Sequence, residues 1–445
     1  MVSEKIEIFE FKVSEHAYVG RVEKELHNFY LDREYTHPLI IDLNEVSYIQ
    51  ITTLLYLAQF IYKRDLSNTK TYMKLPQSDE VKIFMFTWRF YEIIEELTGK
   101  NIFNFIEGNQ KKFPPIKFTI EDKTFYLNIN KDYFDKYYKE DQLKNLVKKG
   151  FFSFVCEPFK EEKQKYLALK KQRRNWSTEK LITDVLQKNL IENVQIGNLL
   201  SNTIIFECLT NAANHPESDH LVIGSFYDFT NEEKIHKGDK EKKLYFTIVL
   251  WDDGDSIINT LSESINLGNQ IRANDSYEVA KKSGLKSWFR IAREDFHSDS
   301  KNESMFYDYL PNKESTSDEV LLSSFLPGIS RKPINKKDTS QNDSDENFDS
   351  SSGTGLGLTL LLKAVIKDLD GSIHVRTDDY LLEITKARKG GGIEYNDMFF
   401  YKNLNETDKK DVDFYCKSKL RLYKNKSGPF KGNMITIKIP VNHAL

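Results

Sequence analysis

Residues 205–216 read Ile-Phe-Glu-Cys-Leu-Thr-Asn-Ala-Ala-Asn-His-Pro. On a helix, Glu207, Asn211 and the pair Asn214/His215 fall at i, i+4 and i+7/8 and share one face. A carboxylate one turn before a carboxamide suits the holding of a hydrated metal ion and an attacking water. Further along, Leu-Tyr-Phe-Thr-Ile-Val-Leu-Trp at 244–251 runs directly into Asp252, Asp253, Gly254, Asp255 and Ser256. An aspartate at the exit of a buried strand can accept a hydrogen bond from an adenine amino group. Gly254 lets the backbone turn close to a base without a Cβ clash. Last, Gly353, Gly355 and Gly357 precede an apolar stretch with Leu361, Val365 and Ile366. Glycines ahead of a helix N-terminus offer backbone N–H groups and a positive dipole end to phosphate.

Each piece alone has a commonplace reading: a polar patch on a core helix, a glycine-rich turn, an Asp-Gly turn dipeptide. Their order along the chain is more specific. The elements that must position them are a helix through Leu181, Val185 and Leu190 capped by Ser177, then the helix carrying Glu207 and Asn211. Strands are expected at 220–227 and 244–251, a helix after Gly357, and strands at 371–377 and 432–440.

In that order the pieces resemble the Bergerat-fold (histidine kinase-like) ATPases, which include gyrase B subunits, MutL, a class of heat-shock chaperones and histidine-kinase catalytic domains. Glu207-x-x-x-Asn211-Ala212-x-x-His215 is similar to their N box, closest to the version in anti-sigma-factor kinases. Asp252-x-Gly254 matches the first glycine box and Gly353-x-Gly355-x-Gly357 the second. The resemblance covers roughly residues 180–441. It implies an α/β sandwich, a mixed sheet covered by helices on one face, with ATP held under a long lid at 257–352. It further implies that Asn211 ligates Mg²⁺, that Glu207 activates water or an acceptor hydroxyl, and that Asp252 holds the adenine amino group over Gly254. Gly353, Gly355 and Gly357 would approach the phosphates, and His215 and Asn433 would lie near the nucleotide. Ser256 departs from the pattern, standing where the first box usually has a second glycine. Residues 378–431 form a further insertion.

Ahead of this lies an α/β domain at 1–110, then a connector with a charged helix at 111–176, leaving 177–445 as the ATPase-like domain. Strands are expected at 5–13, 39–43 and 71–75, helices at 17–30 and 49–61, and a single helix capped by Ser78 or Asp79 and closed by Gly99. The run at 40–54 resembles the central strand-turn-helix of STAS domains. The serine that this family can phosphorylate falls on Ile51 here, with Thr52 and Thr53 beside it.

Composition narrows the classes. The 445 residues carry 39% hydrophobic side chains and a formal charge of −3, which gives no indication of a nucleic-acid surface. Three scattered cysteines form no metal-ligand spacing and suit a reducing compartment. The charged N-terminus has no signal-peptide core, and no apolar run approaches the ~20 residues of a membrane span. A cytoplasmic protein with no membrane partner is expected. None of the nine histidines sits in a His-Glu-x-x-x-Pro motif, which argues against a conventional histidine autokinase. Three readings remain. One is a Mg²⁺-dependent ATPase whose lid closure alters contacts with a protein partner or a second copy, through the N-terminal domain or the lid. The others are a serine/threonine kinase of the anti-sigma type and a non-catalytic ATP-dependent interaction module.

Overall fold

The computed structural model describes residues 7–107, 116–120, 123–127, 132, 135–136, 142, 152–155, 218–233, 240–266, 314–325, 357–386, 418–424 and 430–440. The fold is mixed α/β. The chain divides into two compact units, residues 1–155 with 222–224 and 425–431, and residues 156–221, 225–424 and 432–445.

In the first unit, β1 (Phe9–Lys12), β3 (Leu39–Asp42) and β5 (Thr71–Lys74) form a parallel sheet in the order β1-β3-β5. The register pairs Phe11 with Ile41 and Ile41 with Met73, all nearly inaccessible, whereas Glu10, Lys12 and Lys74 lie on the other face. Lys74 Nζ sits 2.9 Å from a Glu10 carboxylate oxygen there. That hydrogen bond holds the Glu10 carboxyl below, and the Lys74 ammonium above, their ordinary values. Helices α1 (Val19–Phe29) and α2 (Ile51–Leu66) alternate with the strands, as the sequence pattern predicts. A second, two-residue parallel pair, β2 (His16–Ala17) with β4 (Tyr48–Ile49), was not legible in that pattern. It brings the entries of α1 and α2 together: Gln50 Oε1 accepts the Val19 N–H at 3.3 Å. Thr53, wholly inaccessible, donates its hydroxyl to the Ala17 carbonyl at 2.7 Å, and Thr52 is 6% exposed.

The single helix expected up to Gly99 is two: α3 (Asp79–Thr87) and α4 (Phe90–Thr98). Ser78 caps the first through the Val81 N–H at 3.3 Å, and Gly99 closes the second in the left-handed conformation. The break falls at Arg89, whose φ is 57°. Its guanidinium holds Glu92 at 2.5 and 2.7 Å, compensating a conformation that costs a non-glycine residue about 1 kcal/mol. The bend lets Phe86 at the end of α3 and Phe90 at the start of α4 both bury. The connector supplies an antiparallel hairpin, β6 (Ile116–Ile120) and β7 (Lys123–Leu127), and a strand β8 (Phe152–Val155).

The larger sheet contains, in order, β13 (Ser418–Lys424), β12 (Tyr380–Lys386), β11 (Ser372–Asp378), β14 (Phe430–Pro440), β10 (Lys240–Asp252) and β9 (His220–Glu233). Strands β12 and β13 come from the stretch expected to be an insertion; they extend the sheet by antiparallel pairing onto β11. At the centre, β10 and β14 run antiparallel, with Ile248 opposite Ile437 and Asp252 opposite Asn433. Phe246, Ile248 and Leu250 on one face of β10 are at most 4% exposed, and so are Thr247, Val249 and Trp251 on the other. Both faces of β10 are therefore buried along these residues. Their near-continuous apolar run is the pattern of a strand buried on both sides.

Helices α5 (Ile257–Asn266) and α6 (Ser317–Ser323) fall in the stretch expected as lid and pack on one another. Their apolar sides bury Ile258, Leu261, Val320, Leu321 and Leu322. Thr316 and Glu319 form a capping box at the start of α6. Helix α7 (Gly357–Leu362) continues into a wider π-type turn over Lys363–Asp368.

Candidate functional site

The site grows from the end of β10. The strand delivers Asp252, 7% exposed, to the sheet edge, and the chain then turns through Gly254 into α5. Gly254 donates its N–H to Asp252 Oδ1 at 3.1 Å, so the carboxylate folds back over the turn that follows it. Beneath it lies β14. Gly432 there has φ of +78°, and a Cβ on it would stand 1.7 Å from the Asp252 carbonyl oxygen. Only glycine permits that approach.

Asn433, 3% exposed, joins the parts. Its Nδ2 donates to Asp252 Oδ1 at 3.2 Å, with Oδ2 at 3.4 Å, and to the Asp255 carbonyl at 2.9 Å. Its Oδ1 accepts the Thr377 hydroxyl at 2.7 Å and the Ile257 N–H at 2.9 Å. Asn433, expected beside the nucleotide, thus has both amide atoms engaged by protein. A carboxamide, with donors and acceptor on one planar group, fits this position; an aspartate would set two carboxylates together.

Ser256 is the N-cap of α5. Its Oγ accepts the Asn259 N–H at 3.0 Å, and its carbonyl accepts the Thr260 N–H at 3.0 Å. Ser256 thus has a local role: the turn passes at once into a capped helix, whose first N–H groups are held by Ser256, Asn433 and Thr377.

Asp253 faces the other way. Its carboxylate, on a side chain 2% exposed, takes the N–H groups of Asp219 and His220 at 2.7 Å each and the Ser218 hydroxyl at 3.3 Å. The His220 ring Nδ1 lies 2.8 Å from its second oxygen.

Of the residues singled out by sequence, Asp252, Gly254 and Asn433 are brought together, and Gly357 opens α7. Glu207, Asn211, His215, Gly353 and Gly355 lie outside the described residues. The roles of Asp253, His220 and Thr377 were missed, because their partners are far away in sequence. Among the described residues there is no cluster of His, Cys, Asp and Glu that can hold a metal ion, and no helix long and apolar enough to cross a membrane. No family model matches the chain, nor does any curated protein or solved structure.

Proposed function

We propose that the chain is a nucleotide-binding protein of the Bergerat type. Its particular activity, on this reading, is to bind ATP with Mg²⁺ and hydrolyse it slowly, with closure of the lid coupled to a protein partner or a second copy. The observation that carries the reading is the buried Asp252 carboxylate at the exit of the central strand, with the Gly254 N–H turned onto it. The order β9-β10-β14-β11 around it adds support, because Asp252 and the last strand then belong to one sheet. An acceptor-only carboxylate favours the adenine amino group and opposes the guanine carbonyl at the same place. ATP is thus preferred over GTP.

On this reading Asp252 is the base-recognising end. The metal end falls to Asn211, whose carboxamide oxygen suits a hard cation, and the water to Glu207. A bound Mg²⁺ offsets the charge of the phosphates. The test incubates the full chain with γ-labelled ATP and Mg²⁺, comparing wild type with Glu207→Ala and Asn211→Ala. Free phosphate that disappears in the Glu207 variant supports hydrolysis. Acid-stable label on a threonine or an added protein would replace the ATPase with a kinase. Binding without turnover in wild type would leave an ATP-dependent interaction module.

A further inference from the structure

In the parallel sheet of the first unit, β1 stands at one end of the order β1-β3-β5. The Phe9 N–H donates to the Pro38 carbonyl at 2.9 Å, and the Val13 N–H donates to the Asp42 carbonyl at 3.0 Å. Residues 9, 11 and 13 therefore turn their peptide groups towards β3. By the alternation of a strand, Glu10 and Lys12 turn theirs outward. Among the described residues no strand pairs on that outer side. An open edge is a template for another strand, and proteins usually blunt it with charge. Here the exposed Glu10 and Lys12 side chains share one face of the sheet and carry opposite signs.

A contact between two copies that closes on itself uses the same patch on both, related by a two-fold axis, so two β1 edges would pair antiparallel. Outward peptide groups must then meet outward peptide groups, which restricts the axis to a residue position. With the axis at Glu10 or at Lys12, that residue faces its own copy, and like charges directly opposite are destabilising. An axis at Phe9 sets Glu10 against the apolar Ile8. An axis at Phe11 sets Glu10 of each copy against Lys12 of the other. We infer that β1 is the surface through which the chain pairs with a second copy of itself, in this last register. Each Glu10/Lys12 pair then exchanges both backbone hydrogen bonds and joins opposite charges on one face. Lys74 Nζ, 2.9 Å from Glu10 Oε2, holds the carboxylate on that face. The inference goes beyond the nucleotide reading and does not depend on it, because the contact lies wholly in the first unit.

The experiment follows sedimentation equilibrium of the full chain, without nucleotide, over a series of concentrations, with thermal melts alongside. Wild type forms a dimer. Glu10→Lys makes both edge positions basic and Lys12→Glu makes both acidic, so either variant alone sets like charges opposite in both pairs. Each should dimerise about tenfold or more weakly than wild type. Mixed together, the two variants restore opposite charges in both pairs. Their heterodimer should form with an affinity within about threefold of the wild-type value. Lys12→Glu leaves the Glu10–Lys74 ion pair in place, which keeps the test open should Glu10→Lys fail to fold. Amide exchange at Glu10 and Lys12 should slow as wild type dimerises. A wild type that stays monomeric throughout would overturn the inference. Slow exchange at Glu10 and Lys12 in that monomer would assign the edge to another segment of the same chain. Dimerisation that neither substitution weakens, or folded variants that gain nothing on mixing, would overturn it too by placing the contact elsewhere.

Discussion

Each unit buries a polar group that propensity and hydrophobic pattern do not require, and the two groups are built differently. In the first unit Arg64, wholly inaccessible, directs its guanidinium at Thr71 Oγ1 (2.8 Å), Tyr30 Oη (3.0 Å) and the carbonyls of Tyr35 (2.7 Å), His37 (2.6 Å) and Lys70 (3.5 Å). The Tyr35 ring lies 5.0 Å from its Cζ. Those acceptors come from one loop and the start of the neighbouring strand, so the arginine works as an internal staple. In the second unit residues 218–220 and Asn433 converge, from two separate stretches of chain, on the single turn that carries Asp252 and Asp253. A staple closes on itself. A turn held from two sides has its geometry fixed by both.

Substitutions can break that contrast. The largest effect is expected from Gly432→Ala, where a Cβ meets the Asp252 carbonyl at 1.7 Å and φ is +78°. A loss of about 4 kcal/mol, read by denaturant unfolding, should come with loss of nucleotide binding. Arg64→Met should cost about 3 kcal/mol, because the loop carbonyls are left without donors. It should leave the nucleotide affinity of the folded protein unchanged, and a parallel loss of affinity would show that the staple reaches further than its own unit. Burial pushes the Tyr30 hydroxyl from its ordinary value near 10 up to about 12, with Arg64 opposing the shift. The unfolded chain then releases this proton first, so stability is full below pH 10 and falls as the pH rises towards 12. A melting series across that window checks the sign, and in Arg64→Met, without the opposing charge, the fall should begin at the same pH and extend further upward. Smallest is Ser256→Ala, about 1 kcal/mol from the lost cap, seen as faster amide exchange at Asn259 and Thr260. Ser256→Gly should cost only a few tenths.

Local signals carried much of the fold. The Ser78 cap, the Gly99 stop and the alternation of strand and helix in the first unit depend on neighbours a few residues away, and each lies where the pattern put it. Arg89 does not announce a break, because a left-handed residue held by Glu92 looks like any exposed helical position in sequence. Strand β12 carries a strand-like run, Tyr-Leu-Leu-Glu-Ile-Thr-Lys, but treating 378–431 as an insertion hid it. The burial of both faces of β10 was also written in its sequence, as an uninterrupted apolar run. In the site, the identity of Asp252 and its turn were legible because they are contiguous. Asn433 was marked out by the resemblance, but its bonds were not legible, because its partners stand 56 to 181 positions away and no periodicity reports a contact of that kind.

The hydroxyl of Thr53 has a bearing on covalent modification. A protein kinase must draw its target side chain into its own active site, and the phosphate it leaves brings close to two negative charges. At Thr53 that charge would replace a proton given to the Ala17 carbonyl, in a spot with no solvent access. Modifying it would mean first prising apart the entries of α1 and α2. A covalent mark at Thr53 therefore requires that opening first.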